Sequence, residues 1–200
     1  MTTLAFPVLS VNPGTFEWRL ESNTQILESP LTKAVQTIEQ PGARWSATLG
    51  YINLIDPDVA LLQAFLAQLR GMANRFTLAN FERSTPRGIA TGTPLVNGAS
   101  QTGTSLNTKG WTASQTGIMK AGDYFTVNGE LKMMAADANS DGTGLATLVF
   151  EPPLRASPAD NAALTVNSPT ATFMLRDSKV GWPRHAPAFR NFTIDCIEQF

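Results

Sequence analysis

From Gly122 to Arg155 the chain devotes its unusual residues to turning the backbone, and this sets narrow limits on what it can fold into. Asn128-Gly129 is the dipeptide of a two-residue hairpin turn, because both residues tolerate positive φ. Asp141-Gly142 and Gly144 supply the same chemistry a second time. The residues between the turns read as three short strands, with no room for a catalytic constellation. Composition points the same way. Only 16% of the residues are charged, and there are 15 glycines and 13 prolines. That profile belongs to a turn-rich β protein with a polar, weakly charged surface.

Outside this stretch, residues 15–53 alternate with the period of half-buried strands. Phe16, Trp18 and Leu20 fall on one face, and Glu17 and Arg19 on the other. Trp45, Ala47, Leu49 and Tyr51 repeat the pattern opposite Arg44, Ser46 and Thr48. Two shorter candidates lie between them, at 24–27 and 34–39. The period then lengthens. Asp56 is placed to cap a helix, Pro57 suits its first position, and Asp58 sits in the positive field of that end. Leu62, Phe65, Leu66 and Leu69 recur at helical spacing, with Val59 and Leu61 widening the stripe. The predicted helix spans 57–70 and stops at Gly71. Another strand is expected over 74–81.

At residues 84–88 the composition shifts, and through residue 110 the chain is rich in Thr, Gly, Ser and Asn. A junction is expected here and a second at 177–183, with strands between them at 123–127, 130–136, 145–150, 164–166 and 170–175. The economical topology returns the last strand, 191–200, to the first sheet. The expected fold is mainly β: residues 1–85 plus 186–200 form a β-sandwich with one packed helix, and residues 86–185 form a small inserted β-barrel or sandwich. The competing topology sets two domains in tandem, the last strand completing the second.

Several functions are disfavoured. With a net charge of −1 and no basic cluster, the chain has no field to hold nucleic acid. No window approaches the ~20 apolar residues of a membrane span. The first ten residues, broken by Pro7, do not read as a signal peptide, so synthesis in the cytoplasm is expected. The single cysteine, Cys196, allows no internal disulfide. It falls in an alternating run and reads as a buried strand position rather than as a nucleophile paired with His185, the lone histidine. His185 itself reads as a loop residue, because no partners stand at zinc-ligand spacing. Asp137, Asn139, Asp141 and Gly142 match the opening of a calcium loop, but the twelfth position, which needs a bidentate glutamate, is Leu148. Neither phosphate-cradling glycine pattern occurs. Glu130, Asp137, Asp141 and Glu151 are the carboxylates available for acid–base work on a glycoside, yet all fall at strand ends and turns. No cofactor or metal is expected. Trp18 and Trp45 read as core. Trp111 and Trp182, in loop-like stretches, are the candidate ligand or partner contacts.

The early strand at Phe16–Leu20, the long strand over Gly42–Tyr51, the Asp-Pro helix start, Arg75–Leu78 and a closing C-terminal strand together resemble the distal tail proteins of long-tailed bacteriophages. The segment from Thr91 to Arg155 and on to Leu175 is similar to a segment common in such tail-tip proteins. The resemblance implies a β-sandwich with one helix, related to the tail-tube fold. It implies a homo-oligomeric ring, expected to be a hexamer, that joins the tail tube protein to tail hub or baseplate proteins. It further implies a virion-tail location after assembly in the host cytoplasm, with no catalytic residues. Two rival readings are a carbohydrate-binding module for host attachment, which needs Trp111 or Trp182 in solvent, and a small cell-wall hydrolase using Glu130 or Glu151.

Overall fold

The computed structural model describes residues 2–179, 181, 184–185 and 189–199. Its elements follow the chain as β1 (Thr3–Ala5), β2 (Thr15–Glu21), β3 (Thr24–Glu28), β4 (Val35–Glu39), β5 (Arg44–Leu54), α1 (Asp58–Leu69), β6 (Arg75–Ala79), β7 (Gly92–Val96), β8 (Gly103–Trp111), β9 (Tyr124–Val127), β10 (Glu130–Met134), β11 (Ala146–Leu154), β12 (Leu164–Thr165), β13 (Thr170–Leu175), β14 (Arg184–His185) and β15 (Phe189–Glu198). The protein is mainly β with one packed helix and a nearly closed barrel.

The alternating segments build a mixed sheet ordered β1-β6-β13-β15-β5-β2, with β14 paired to β15. The C-terminal strand lies inside it, running antiparallel to β5 with Ile194 opposite Leu49 and Cys196 opposite Ala47. Trp45, Ala47, Leu49 and Tyr51 all point to one side and are buried. Helix α1 covers part of that side with Val59, Leu62, Phe65, Leu66 and Leu69. Aromatic rings continue the contact. Phe65 meets Phe76 edge-on at 5.4 Å, Phe76 stacks on Phe173 at 6.2 Å, and Trp18 stacks on Trp45 at 5.8 Å. Such pairs add about 0.5–1.5 kcal/mol beyond the area they bury.

The helix departs from expectation at its start. Asp56 makes no capping bond. Asp58 is instead buried and accepts hydrogen bonds from the Ser10 backbone N–H, at 3.0 Å, and from the Ser10 hydroxyl. The carboxylate thereby ties the N-terminal segment to the helix. Leu61, expected in the buried stripe, is exposed. The helix ends on Arg70 in the left-handed region, its N–H donating to the Ala67 carbonyl at 3.2 Å.

Residues 86–168 hold a second sheet ordered β12-β9-β10-β11-β8-β7. It nearly closes on itself, because Leu95 bridges Ala163 and the Val96 N–H donates to the Ala162 carbonyl at 2.9 Å. Asn128 and Gly129 take φ of 51° and 77° and join β9 to β10 in a two-residue turn. Gly144 cannot carry a side chain: a Cβ there would lie 2.4 Å from the Trp111 carbonyl oxygen. Phe125 and Phe150 meet edge-on at 5.4 Å among Val96, Leu106, Leu148 and Met134.

Two sequence expectations need correction. The Thr/Gly-rich stretch before residue 110 is more than a junction: it supplies β7 and β8, two strands ahead of the first one expected at 123–127. Polar residues dominate there because only Leu106, Thr108 and Trp111 of β8 point inward and are buried. The inserted unit also ends sooner than residue 185. Strand β13 pairs with β6 and β15 in the first sheet, and the Ser168 N–H donates to the Ser84 carbonyl at 2.6 Å, so the two linkers run side by side.

The barrel rests on the apolar side of the first sheet. Tyr124 and Leu131 join that core. The Trp45 indole N–H donates to the Leu131 carbonyl at 3.0 Å, and Trp45 packs edge-on against Tyr124 at 5.6 Å. Arg155 of the barrel side grips Glu198 of β15 through two hydrogen bonds, at 3.1 and 2.5 Å, and Glu198 also accepts the Trp45 backbone N–H at 3.0 Å. Glu198 is 1% exposed. Bidentate pairing is what makes such a buried carboxylate tolerable. Glu198→Ala is therefore expected to lower unfolding free energy by about 3–5 kcal/mol in urea titrations, whereas a change at exposed Glu17 should leave the midpoint within error.

Candidate assembly surfaces

The residues singled out for chemistry do not converge. Glu130 is buried and fully occupied: it accepts the backbone N–H groups of Arg155 at 3.0 Å and Ala156 at 3.2 Å and pairs with Lys132 at 2.7 Å. The Lys132 ammonium, which also donates to the Pro153 carbonyl at 2.8 Å, is held below the usual lysine range by burial, partly opposed by Glu130. Glu151 points to solvent. Asp137 accepts the Ala121 N–H at 2.8 Å, Asn139 the Gly117 N–H at 2.7 Å, and Asp141 the N–H groups of Thr143 and Leu145 at 2.8 and 2.9 Å. The three calcium-like positions thus organise separate stretches of backbone. The bonds from Leu145 and Thr143 hold the Asp141 carboxyl below the usual range. Among the described residues, no group of three or more His, Cys, Asp or Glu side chains is placed to hold a metal ion, and no helix is long and apolar enough to cross a membrane.

Trp111 is not a surface residue. It closes β8 inside the barrel at 4% exposure, its indole N–H donating to the Thr108 hydroxyl at 2.8 Å. Gly110 beside it serves a close approach to the Thr93 backbone, where a Cβ would lie 2.4 Å from the carbonyl oxygen. Trp182 lies outside the described residues, as does the side chain of His185. Cys196 is buried in β15, its thiol directed at the Ala47 carbonyl at 3.4 Å and pushed up to about 12 by burial.

What the surface does offer is sheet. Strand β2 pairs only with β5, and β1 only with β6, so the first sheet has two open edges among the described residues. Its outer face is hydrophilic: Glu17, Arg19 and Glu21 of β2, Ser46 and Thr48 of β5, Asp195 of β15 and nearby Arg176 line a hollow of about 230 Å³. Thr48 donates to Asp195 at 2.7 Å, Arg19 pairs with Glu17, Arg176 pairs with Glu21, and Arg44 lies 3.9 Å from Glu21. Positive and negative groups therefore cancel locally.

Two apolar surfaces stand apart from this face. The β3–β4 pair is a separate two-stranded ribbon continuing the β2–β5 hairpin. None of its strand residues is buried, and Ile26, Leu27, Leu31 and Val35 are exposed. Elsewhere, the segment after β1 borders a groove of about 290 Å³ that includes Phe6, Val8, Leu9, Val11 and Phe81. Sequence reasoning placed the ribbon strands but not their isolation, since alternation alone does not tell a covered face from a bare one.

No protein-family model matches this sequence, and no curated protein matches it.

Two outcomes follow from burial. Trp111→Ala should remove about 3–5 kcal/mol from the barrel's stability, read by thermal or urea unfolding, as for any large core truncation. The Cys196 thiol should be silent to a disulfide reagent at pH 8 in the native protein and react fully in denaturant. Because its folded pKa stands near 12 against an ordinary 9.0, its contribution to stability is complete below pH 9 and declines as pH rises toward 12.

Proposed function

We propose that this chain is a non-enzymatic structural protein of a long-tailed bacteriophage, of the distal-tail type, whose copies form a ring joining the tail tube to the tail hub. The observation that carries this reading is the one-sided sheet, which among the described residues has two open edges. Its apolar face is closed by α1 and the barrel, and its other face is polar and charge-balanced. An open edge presents unpaired backbone N–H and C=O groups that pair readily with another strand. The β1 and β2 edges are different surfaces, so their contact between copies is heterologous, and a heterologous contact repeated by rotation closes into a ring. In such a ring the polar face lines the channel and the barrel, stacked on the opposite face, points outward. The resemblance of the sequence to distal tail proteins supplies the remaining terms: six copies, tube and hub as neighbours, and assembly in the host cytoplasm before incorporation into the virion tail.

The sugar-binding alternative loses Trp111 as a stacking platform, since an indole at 4% exposure inside a core cannot receive a ligand. Sedimentation and negative-stain microscopy of the purified protein test the proposal. Annular particles with a mass six times the 21.5 kDa subunit are expected. A protein that stays monomeric at all accessible concentrations would overturn it.

A further inference from the structure

The chain contains two Asn-Gly dipeptides, Asn97-Gly98 and Asn128-Gly129. In this pairing the glycine nitrogen can reach the side-chain amide carbon of the asparagine, because no Cβ crowds its approach. Attack needs that nitrogen to give up its proton and the asparagine to turn about its own backbone. The fold treats the two dipeptides differently on both counts.

Asn97-Gly98 is tied down. The Gly98 N–H donates to Asp160 Oδ1 at 2.8 Å, and the Asn97 N–H to the Asn107 carbonyl at 2.9 Å. The carbonyls of both residues accept from Gln101 Nε2, at 3.0 and 2.9 Å. The Gly98 bond is the main cause that holds the Asp160 carboxyl below its usual range, with Lys109 adding to it. An ionised carboxylate against this nitrogen repels the amide anion that would attack. Asn128-Gly129 carries none of these ties. It is the turn between β9 and β10, closed by the Val127–Glu130 pair, and both residues are exposed. Among the described residues, neither the Asn128 side chain nor the Gly129 N–H has a hydrogen-bond partner. Space does not separate the two sites: apart from chain neighbours, no heavy atom lies within 4 Å of a Cβ built on either glycine.

We infer that Asn128-Gly129 is a self-modification site, at which the Gly129 nitrogen displaces the Asn128 side-chain amide and water completes the conversion to aspartate and iso-aspartate. The Gly129 nitrogen forms a bond to Asn128 Cγ and the Cγ–Nδ2 bond breaks. The amide leaves as ammonia, taking up the proton that the Gly129 nitrogen gave up. Water then opens the five-membered succinimide at either carbonyl. One opening restores the normal backbone with a carboxylate side chain; the other gives iso-aspartate, whose backbone is one methylene longer. Only water is consumed, and nothing is oxidised or reduced. The longer product has a defined place to act. Glu130 follows the turn directly, and its carboxylate accepts the Arg155 and Ala156 N–H groups and pairs with Lys132. An extra methylene between Val127 and Glu130 disturbs the register of a tight turn and so reaches the buried charges at the seam between barrel and sheet.

The test uses the full chain, held in mildly alkaline buffer, digested and mapped by mass spectrometry with electron-transfer fragmentation, which tells aspartate from iso-aspartate. In the native protein, conversion at Asn128 should outpace conversion at Asn97 by about ten-fold or more, the scale on which orientation changes an intramolecular attack. In urea the two rates should converge. Asp160→Ala, a change at an exposed position, removes the Gly98 acceptor and should speed conversion at Asn97 while leaving Asn128 as it was. Asn128→Gly keeps a residue suited to positive φ and should abolish iso-aspartate at the turn. Equal conversion at the two sites in the native protein, or none at Asn128, would overturn the proposal. A preference that persists undiminished in urea would place the cause in local sequence and overturn the role of the hydrogen bonds. Aspartate without iso-aspartate would mean direct hydrolysis and overturn the cyclisation.

Discussion

The inward strip of β5, Trp45, Ala47, Leu49 and Tyr51, has to be kept from water, and the rest of the molecule is arranged around that requirement. A sheet with one apolar face is stable only when another layer covers it. One helix of 12 residues cannot cover a sheet this wide. The inserted barrel completes the layer, bringing Tyr124 and Leu131 into the same core as α1. Trp45 shows how closely the two are joined, because its ring packs on Tyr124 and its N–H reaches the Leu131 carbonyl.

Around this apolar contact lies a set of buried charges. The side chains of Arg155, Glu198, Lys132 and Glu130 bring backbone groups of β5, β11 and the linker after β11 into one network. Buried ion pairs contribute little net stability compared with well-packed apolar replacements, but they penalise every arrangement that separates the partners. Their effect here is directional. The barrel can slide on apolar side chains at modest cost, but not without parting a carboxylate from its guanidinium. The outer face of the sheet is the opposite case, with exposed, salt-screened pairs that hold little and leave that face compatible with water.

Much of this is legible in the sequence. The alternation of Trp45, Ala47, Leu49 and Tyr51, the helical stripe of Leu62, Phe65, Leu66 and Leu69, and the Asn128-Gly129 turn each express one local rule and appear in the structure as read. The failures share a cause, which is that they depend on contacts distant in sequence. Strand β8 is hidden because a barrel strand needs only one apolar residue in two, and Thr108 fills an inward position through its hydrogen bond to the Ala146 carbonyl. Trp111 is misplaced for the same reason. Gly110 beside it signals a close approach to the Thr93 carbonyl rather than a loop. Asp56 looks like a cap by spacing, while the carboxylate that matters, Asp58, answers to Ser10, 48 residues away. Strand β13 falls to the wrong sheet because its pairing with β6 spans the whole inserted barrel and leaves no local trace. The exposed apolar surfaces are the least legible part. Ile26 and Leu49 are both aliphatic points in alternating runs, and they look alike until burial is known; Ile26 simply has nothing above it.

The hydrogen-bonded stem at Ser84 and Ser168 makes the barrel look like a cassette that could be excised or exchanged at a single point. It is a cassette with a condition attached. Cutting at the stem would expose the indole of Trp45 and deprive Glu198 of Arg155 in the same operation. Any replacement graft must therefore arrive with its own lid and its own counter-ion, and diversification of this module is confined to variants that roof the sheet beneath.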